Sequence, residues 1–171
     1  MRIVLLGDSH LARIQRDAPR IGENVLNAAQ GGATVLHLEG QADGAGITGS
    51  DVVVVSVGTN DAAPWHDVSV ADFQRGLGRV VRSHPAGAWV IMSPPGVDEG
   101  RLGSRDRTNV VVDAYREAAA DVAASHTARL LDTRSLLAPL GTAAFATDGL
   151  HLSGAAYRML LRALAESTKS H

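Results

Sequence analysis

The chain has 171 residues, of which 45% are hydrophobic and 20% charged, with a formal net charge of -2. That length suits one domain, residues 1–171, with a sizeable core, and the charge balance excludes the basic footprint of a nucleic-acid binder. Cysteine is absent, which excludes disulfide staples, Cys-based zinc sites and a thiol nucleophile together.

The first apolar run, Ile3-Val4-Leu5-Leu6, stops at Gly7 and predicts a strand over residues 2–7. It is too short for a signal-peptide core or a membrane span, so a cytoplasmic location without a membrane span is the default expectation. Residues 10–16 read as a short helix with Leu11 and Ile14 on one face, followed by a weaker strand at 24–29 and a short helix at 34–41. Gly44-Ala45-Gly46-Ile47-Thr48-Gly49 formally matches a dinucleotide fingerprint. It precedes a strand instead of following one, and so reads as a flexible turn.

Residues 51–57 form the clearest strand, almost wholly β-branched and expected to be buried on both faces. A helix over 70–83 follows, with Phe73, Leu77, Val80 and Val81 at helical spacing, then a strand at 89–92 closed by Ser93-Pro94-Pro95. The loop 96–107 mixes acidic and basic residues. It reads as a solvated loop, with a lid over an anionic or polyhydroxylated substrate as the alternative. An Ala-rich helix at 108–125, a strand at 128–131 and a closing helix at 153–166, with Ser153 as its N-cap, complete the chain; residues 168–171 read as a frayed tail. Alternating strands and helices predict a three-layer α/β/α fold whose five-stranded parallel sheet has the flavodoxin-like order 2-1-3-4-5.

Four short segments carry groups suited to chemistry. Gly7-Asp8-Ser9 places a hydroxyl where the first strand becomes a helix, whose N-terminus favours developing negative charge; either Ser9 or Asp8 also serves as an ordinary N-cap. Gly31-Gly32, after the second strand, lets a backbone N–H approach a ligand closely, or makes a plain turn. Asn60, in Gly58-Thr59-Asn60-Asp61, offers a neutral side-chain donor for an oxyanion, and Asn-Asp is equally common turn chemistry. Asp148-Gly149-Leu150-His151 can set a carboxylate against an imidazole nitrogen, fixing its tautomer; a turn with a solvent-facing histidine is the plain alternative. Each segment is expected at the carboxyl end of a different strand. A parallel sheet gathers those ends on one edge, beside the crevice at the topological switch point.

In these segments the chain resembles the SGNH hydrolases, also called GDSL esterases and lipases. The resemblance implies Ser9 as nucleophile, Asp148 and His151 as its partners, and an oxyanion hole from Ser9, Gly32 and Asn60. Thr34, two residues after Gly32, is also common in that family, whereas His10 stands where the family name expects Leu. The implied activity is hydrolysis of a small acyl ester through an acyl-serine intermediate, without a cofactor. Short acyl groups, including O-acetyl groups of a carbohydrate, are the expected substrates. Alternatives are a thioesterase, lysophospholipase or acyltransferase using the same triad, and a non-catalytic ligand-binding module on the same fold.

Trp65, His66, Pro95 and Arg101 lie in the loops after the third and fourth strands and are candidate pocket residues. His66 with Asp61 and Asp67 lacks matching ligand spacing elsewhere, so no metal is expected. His10 is poorly placed as a base, because adjacent helical residues point about 100° apart. The oligomeric state is left open.

Overall fold

The computed structural model describes residues 1–169. Its five parallel strands are β1 (Ile3–Gly7), β2 (Val25–Asn27), β3 (Val52–Ser56), β4 (Ala88–Met92) and β5 (Arg129–Leu131), in the order β2-β1-β3-β4-β5. The central strands β1 and β3 are buried along their whole length, which is why they read as unbroken apolar runs. The edge strands β2 and β5 are three residues long and largely uncovered. Gly7 pairs with Ser56 at the carboxyl ends of β1 and β3, so the chain leaves both strands side by side.

Alternate residues of each strand feed opposite cores. Val4, Leu6, Val53, Val55 and Ile91 pack with the apolar faces of α2 (Leu38–Ala45), α3 (Val70–Ser83) and α4 (Asn109–Ser125). Ile3, Leu5, Val52, Val54, Val90 and Met92 pack instead against α1 (Ser9–Ala12), α5 (Thr133–Leu137) and α6 (Gly154–Ser167). The result is the three-layer α/β/α arrangement, with helices on both sheet faces.

The helix expected over 70–83 is α3 residue for residue, capped by Ser69 and buried at Phe73, Leu77, Val80 and Val81. The helix expected at 10–16 is only the single turn α1, followed by a 3₁₀ segment, Gln15–Arg20, that contains Pro19. Asn27 Nδ2 donates to the Leu11 carbonyl at 2.8 Å, so the end of β2 satisfies a group that a longer helix would have used. The helix expected at 34–41 is a 3₁₀ turn, Val35–His37, continued by α2, and Gly44 lies within it rather than in a flexible turn. Gly46 closes α2 in the left-handed conformation (φ 57°).

Two elements go beyond what the sequence pattern predicts: α5 and the 3₁₀ segment Ala138–Ala144, both between β5 and the Asp148 turn. Thr168, expected in a frayed tail, is buried, with its hydroxyl donating to the Leu164 carbonyl at 2.9 Å. Ser170 and His171, the rest of that tail, lie outside the described residues.

Candidate active site

The Gly7-Asp8-Ser9 turn is built around backbone crowding. A Cβ on Gly7, at φ 120°, would sit 1.9 Å from the Ser56 carbonyl oxygen, so only glycine lets β1 end this close to β3. The Asp8 N–H then donates to that same carbonyl at 2.9 Å. The buried Asp8 carboxylate caps α1, accepting from the His10 N–H at 3.0 Å and facing His10 Nδ1 at 3.2 Å. Asp8 rather than Ser9 is therefore the N-cap. Ser9 begins the helix half-buried, and among the described residues its Oγ makes no hydrogen bond, to His151 or any other group. His10 is fully enclosed and faces Asp8, so it is closed off from solvent.

The loops after β1, β2 and β3 are stitched together by hydrogen bonds. Gln30 N–H donates to the Gly7 carbonyl at 2.8 Å, and Asn60 Nδ2 donates to the Ala33 carbonyl at 3.0 Å. Of the two adjacent glycines, Gly32 is the one in the left-handed region (φ 79°), and open space surrounds the position of a Cβ there. Asp61, whose residue type and setting suggest no more than turn chemistry, is buried and bridges two loops, accepting from Val35 N–H and Gly58 N–H at 2.8 Å each. Burial pushes its carboxyl up to about 6, against the pull of those two N–H groups.

The Asp148 turn is self-contained. Oδ1 of Asp148 accepts from the N–H groups of Leu150 and His151, each at 2.9 Å, and Oδ2 lies 2.6 Å from His151 Nδ1. The bond to His151, with the two backbone N–H groups, holds the Asp148 carboxyl far below the usual carboxylate range. With Nδ1 engaged by a carboxylate, Nε2 is the imidazole nitrogen left to accept a proton.

This turn does not follow β5 directly, as the sequence pattern predicts, because α5 and the 3₁₀ segment intervene. Instead, residues 96–107 strap it down. Asp98 N–H donates to the Gly149 carbonyl at 2.8 Å. The Arg101 guanidinium donates to the carbonyls of Phe145 (3.2 Å) and Ala146 (3.0 Å) and pairs with Asp98 at 3.1 Å. The strap's far end, Arg107, is buried and donates to the Thr59 carbonyl at 2.6 Å. Residues 99–101 and 103–105 are exposed, but Leu102 packs against the core, the segment is anchored at both ends, and it is no simple solvated loop.

The candidate pocket residues separate. Trp65 is 59% exposed, and its ring lies over the Arg107 guanidinium at 5.1 Å. His66 is exposed beside it, with ring centroids 6.3 Å apart. Pro95 is buried and lines a cavity of about 450 Å³ with Val97, Leu137 and Phe145, while Arg101 is taken up by Asp98 and backbone carbonyls. Among the described residues, Glu39, Asp43 and His84 have donor atoms within 4.8 Å of one another. The His84 imidazole lies 3.1 Å from Asp43 and the Arg79 guanidinium 3.7 Å from Glu39, so both carboxylates already have side-chain partners. Asp61, bound to two backbone N–H groups, is not free to join His66 and Asp67 around an ion.

A model of the GDSL-like lipase/acylhydrolase family matches residues 6–159. The fold is similar to that of a lipase/acylhydrolase from Enterococcus faecalis, at 23% identity and a TM-score of 0.79 over 100% of both chains. It is also similar to a member of the lipolytic protein G-D-S-L family from Veillonella parvula, at 19% identity and a TM-score of 0.78 over 97% of both chains. Axe2, an acetylxylan esterase from Geobacillus stearothermophilus, aligns at 19% identity and a TM-score of 0.73, covering 99% of this chain and 94% of that one. No curated protein matches the chain.

Proposed function

Because the chain belongs to the GDSL-like lipase/acylhydrolase family of ester-hydrolysing enzymes, we propose that it is a serine esterase for small carboxylic esters with short acyl groups, carbohydrate O-acetyl groups among them. Ser9 Oγ attacks the ester carbonyl while His151 Nε2 takes its proton. Asp148 holds the imidazole by its other nitrogen and stabilises the imidazolium that forms. The oxyanion accepts from the backbone N–H groups of Ser9 and Gly32 and from Asn60 Nδ2. The alcohol leaves with the proton from His151. Water, deprotonated by the same nitrogen, then releases the acid and restores Ser9.

The observation that carries this reading is the 2.6 Å contact between Asp148 and His151 Nδ1 in a turn that fixes the carboxylate with two further N–H bonds. Ser9 Oγ, not spent on capping, is the matching feature on the other side. The hydrogen bond that links nucleophile to base commonly tightens only when substrate is bound.

The short-acyl preference follows from what the apolar side chains near the edge are used for. Pro94 is buried and Trp65 covers Arg107, while the cavity that Pro95 and Val97 line is also walled by Asp98, Glu99 and Arg134, which leaves little continuous apolar wall for a long chain. The acetylxylan esterase likeness is a fold likeness and agrees with small acyl groups. Trp65 and His66, exposed in the loop that follows Asn60, stay as the residues proposed to meet the alcohol portion.

A fluorophosphonate probe tests the nucleophile: it is expected to label Ser9 and to leave Ser9→Ala unlabelled. Labelling of another serine at the wild-type rate overturns the reading.

A further inference from the structure

Arg107 is a cation with almost no exposure, at 5%. A buried guanidinium is costly unless its donors are engaged, and here they are shared between the neighbouring Asp106 and the loop after β3. Its Nε donates to Asp106 Oδ1 at 2.8 Å. Its Nη1 donates to the Thr59 carbonyl at 2.6 Å and to Asn60 Oδ1 at 3.4 Å, and the Trp65 ring roofs it at 5.1 Å. Nothing in the proposed reaction uses this charge directly.

Its placement bears on Asn60. An asparagine amide can present either end, and guanidinium donors accept nothing, so they select the carbonyl end. With Oδ1 turned to Arg107, Nδ2 faces away, towards the Ala33 carbonyl. One Nδ2 hydrogen is used there, and the other is left for a ligand. A cation at Oδ1 also withdraws electron density through the amide and makes Nδ2–H a stronger donor. Hydrogen bonds polarise one another in series, most of all where water is excluded.

We infer that Arg107 is a positioning residue for the oxyanion hole, acting through Asn60: it fixes the amide with Nδ2 towards the oxyanion and polarises it. Trp65 then has a role on this side of the site, closing the guanidinium off from water, which would otherwise screen its effect. The inference rests on the proposed roles of Ser9 and Asn60.

The test is a double-mutant cycle on turnover of p-nitrophenyl acetate. Asn60→Ala is expected to lower kcat by roughly 10²–10³. Arg107→Met, which keeps the apolar stem and removes the guanidinium, is expected to lower kcat by about tenfold with KM within about twofold, because the polarised donor matters most in the transition state. In the Asn60→Ala background the same substitution should cost less than about twofold, since the group it acts through is gone. Arg107→Lys keeps the charge, cannot span Thr59 and Asn60 together, and should recover part of the loss. In Arg107→Ala, added guanidinium ion at non-denaturing concentration should raise kcat.

Losses that multiply independently across the cycle, or an Arg107→Met enzyme with wild-type kcat, overturn the inference. If Arg107→Met does not fold, Arg107→Lys takes its place in both backgrounds, and the same two results overturn the inference. Fluorophosphonate labelling keeps the two readings apart. An enzyme labelled at Ser9 whose Arg107 effect is independent of Asn60 refutes this inference alone, whereas failure to label Ser9 refutes the reading beneath it.

Discussion

Asp61 makes a quantitative prediction about stability and pH. Its carboxyl rises from 3.8 to about 6 because burial opposes the charge; the N–H groups of Val35 and Gly58 offset this in part, and the nearby Asp8 carboxylate adds to it. A shift of about two units corresponds to about 3 kcal/mol between the two protonation states. The folded value lies above the unfolded one, so the folded chain binds the proton more tightly. Asp61's contribution is therefore fully present below about 3.8 and is lost as pH rises through about 6. Urea unfolding of the wild type and Asp61→Asn across pH 4 to 7 reads this contribution directly. The variant should carry a roughly constant penalty, of order 1–3 kcal/mol, since its amide NH₂ must face one of the two backbone donors. Relative to the variant, the wild type should lose about 2 kcal/mol on going from pH 4 to pH 7, the remainder of that roughly 3 kcal/mol having been lost below pH 4. Parallel pH profiles for the two proteins would refute the claim that Asp61 carries its charge at a cost.

Two further outcomes are expected. Gly149→Ala puts a Cβ 2.7 Å from the Asp98 carbonyl oxygen and 2.8 Å from Arg101 Cβ at a φ of 71°, which forces the strap off the Asp148 turn. Thermal unfolding should fall by several degrees, with about 2–3 kcal/mol lost, and kcat should drop at least tenfold; wild-type values for both would show that the strap does not hold the turn. Across p-nitrophenyl esters, kcat/KM should be highest from acetyl to butyryl and fall for acyl groups of about eight carbons, since a longer chain gains about 0.8 kcal/mol per CH₂ only where a slot buries it. A steady climb with chain length would refute the shallow groove.

The sheet order and α3 could be read because their signals are local and strong. Five apolar runs alternate with helical segments, and residues 70–83 carry apolar side chains at helical spacing between a Ser cap and a change of pattern. The segments after β1, β2 and β3 could be placed side by side because a parallel sheet brings the carboxyl ends of its strands to one edge. What could not be read depends on contacts distant in sequence. Asp8 and Ser9 are equally good caps by residue type, and only the fold shows that Asp8 takes the helix N–H. The α5 turn is five residues long, too short for a period to register, and it separates β5 from the Asp148 turn. Arg101 and Arg107 look like solvated charges in a mixed run, yet one holds backbone carbonyls and the other is buried against Thr59, 48 positions away in sequence.

The strap explains how groups so far apart in sequence can share one register. A sheet edge fixes where loops begin, to within the spacing of its strands, while acyl transfer needs donors and base held to fractions of an ångström. The proposed oxyanion loop (residues 58–61) and the proposed relay turn (residues 148–151) leave different parts of the fold. Residues 96–107 touch both. Asp98 and Arg101 hold the relay turn, Arg107 holds the oxyanion loop, and Asn109 clamps the strap's start by bonding both the N–H and the carbonyl of Val97 at 2.9 Å. A single segment tied into α4 at its root therefore sets the distance between the two halves of the site. Its exposed positions Gly103, Ser104 and Arg105, which among the described residues make no side-chain contact with either half, are then where sequence can change without moving them.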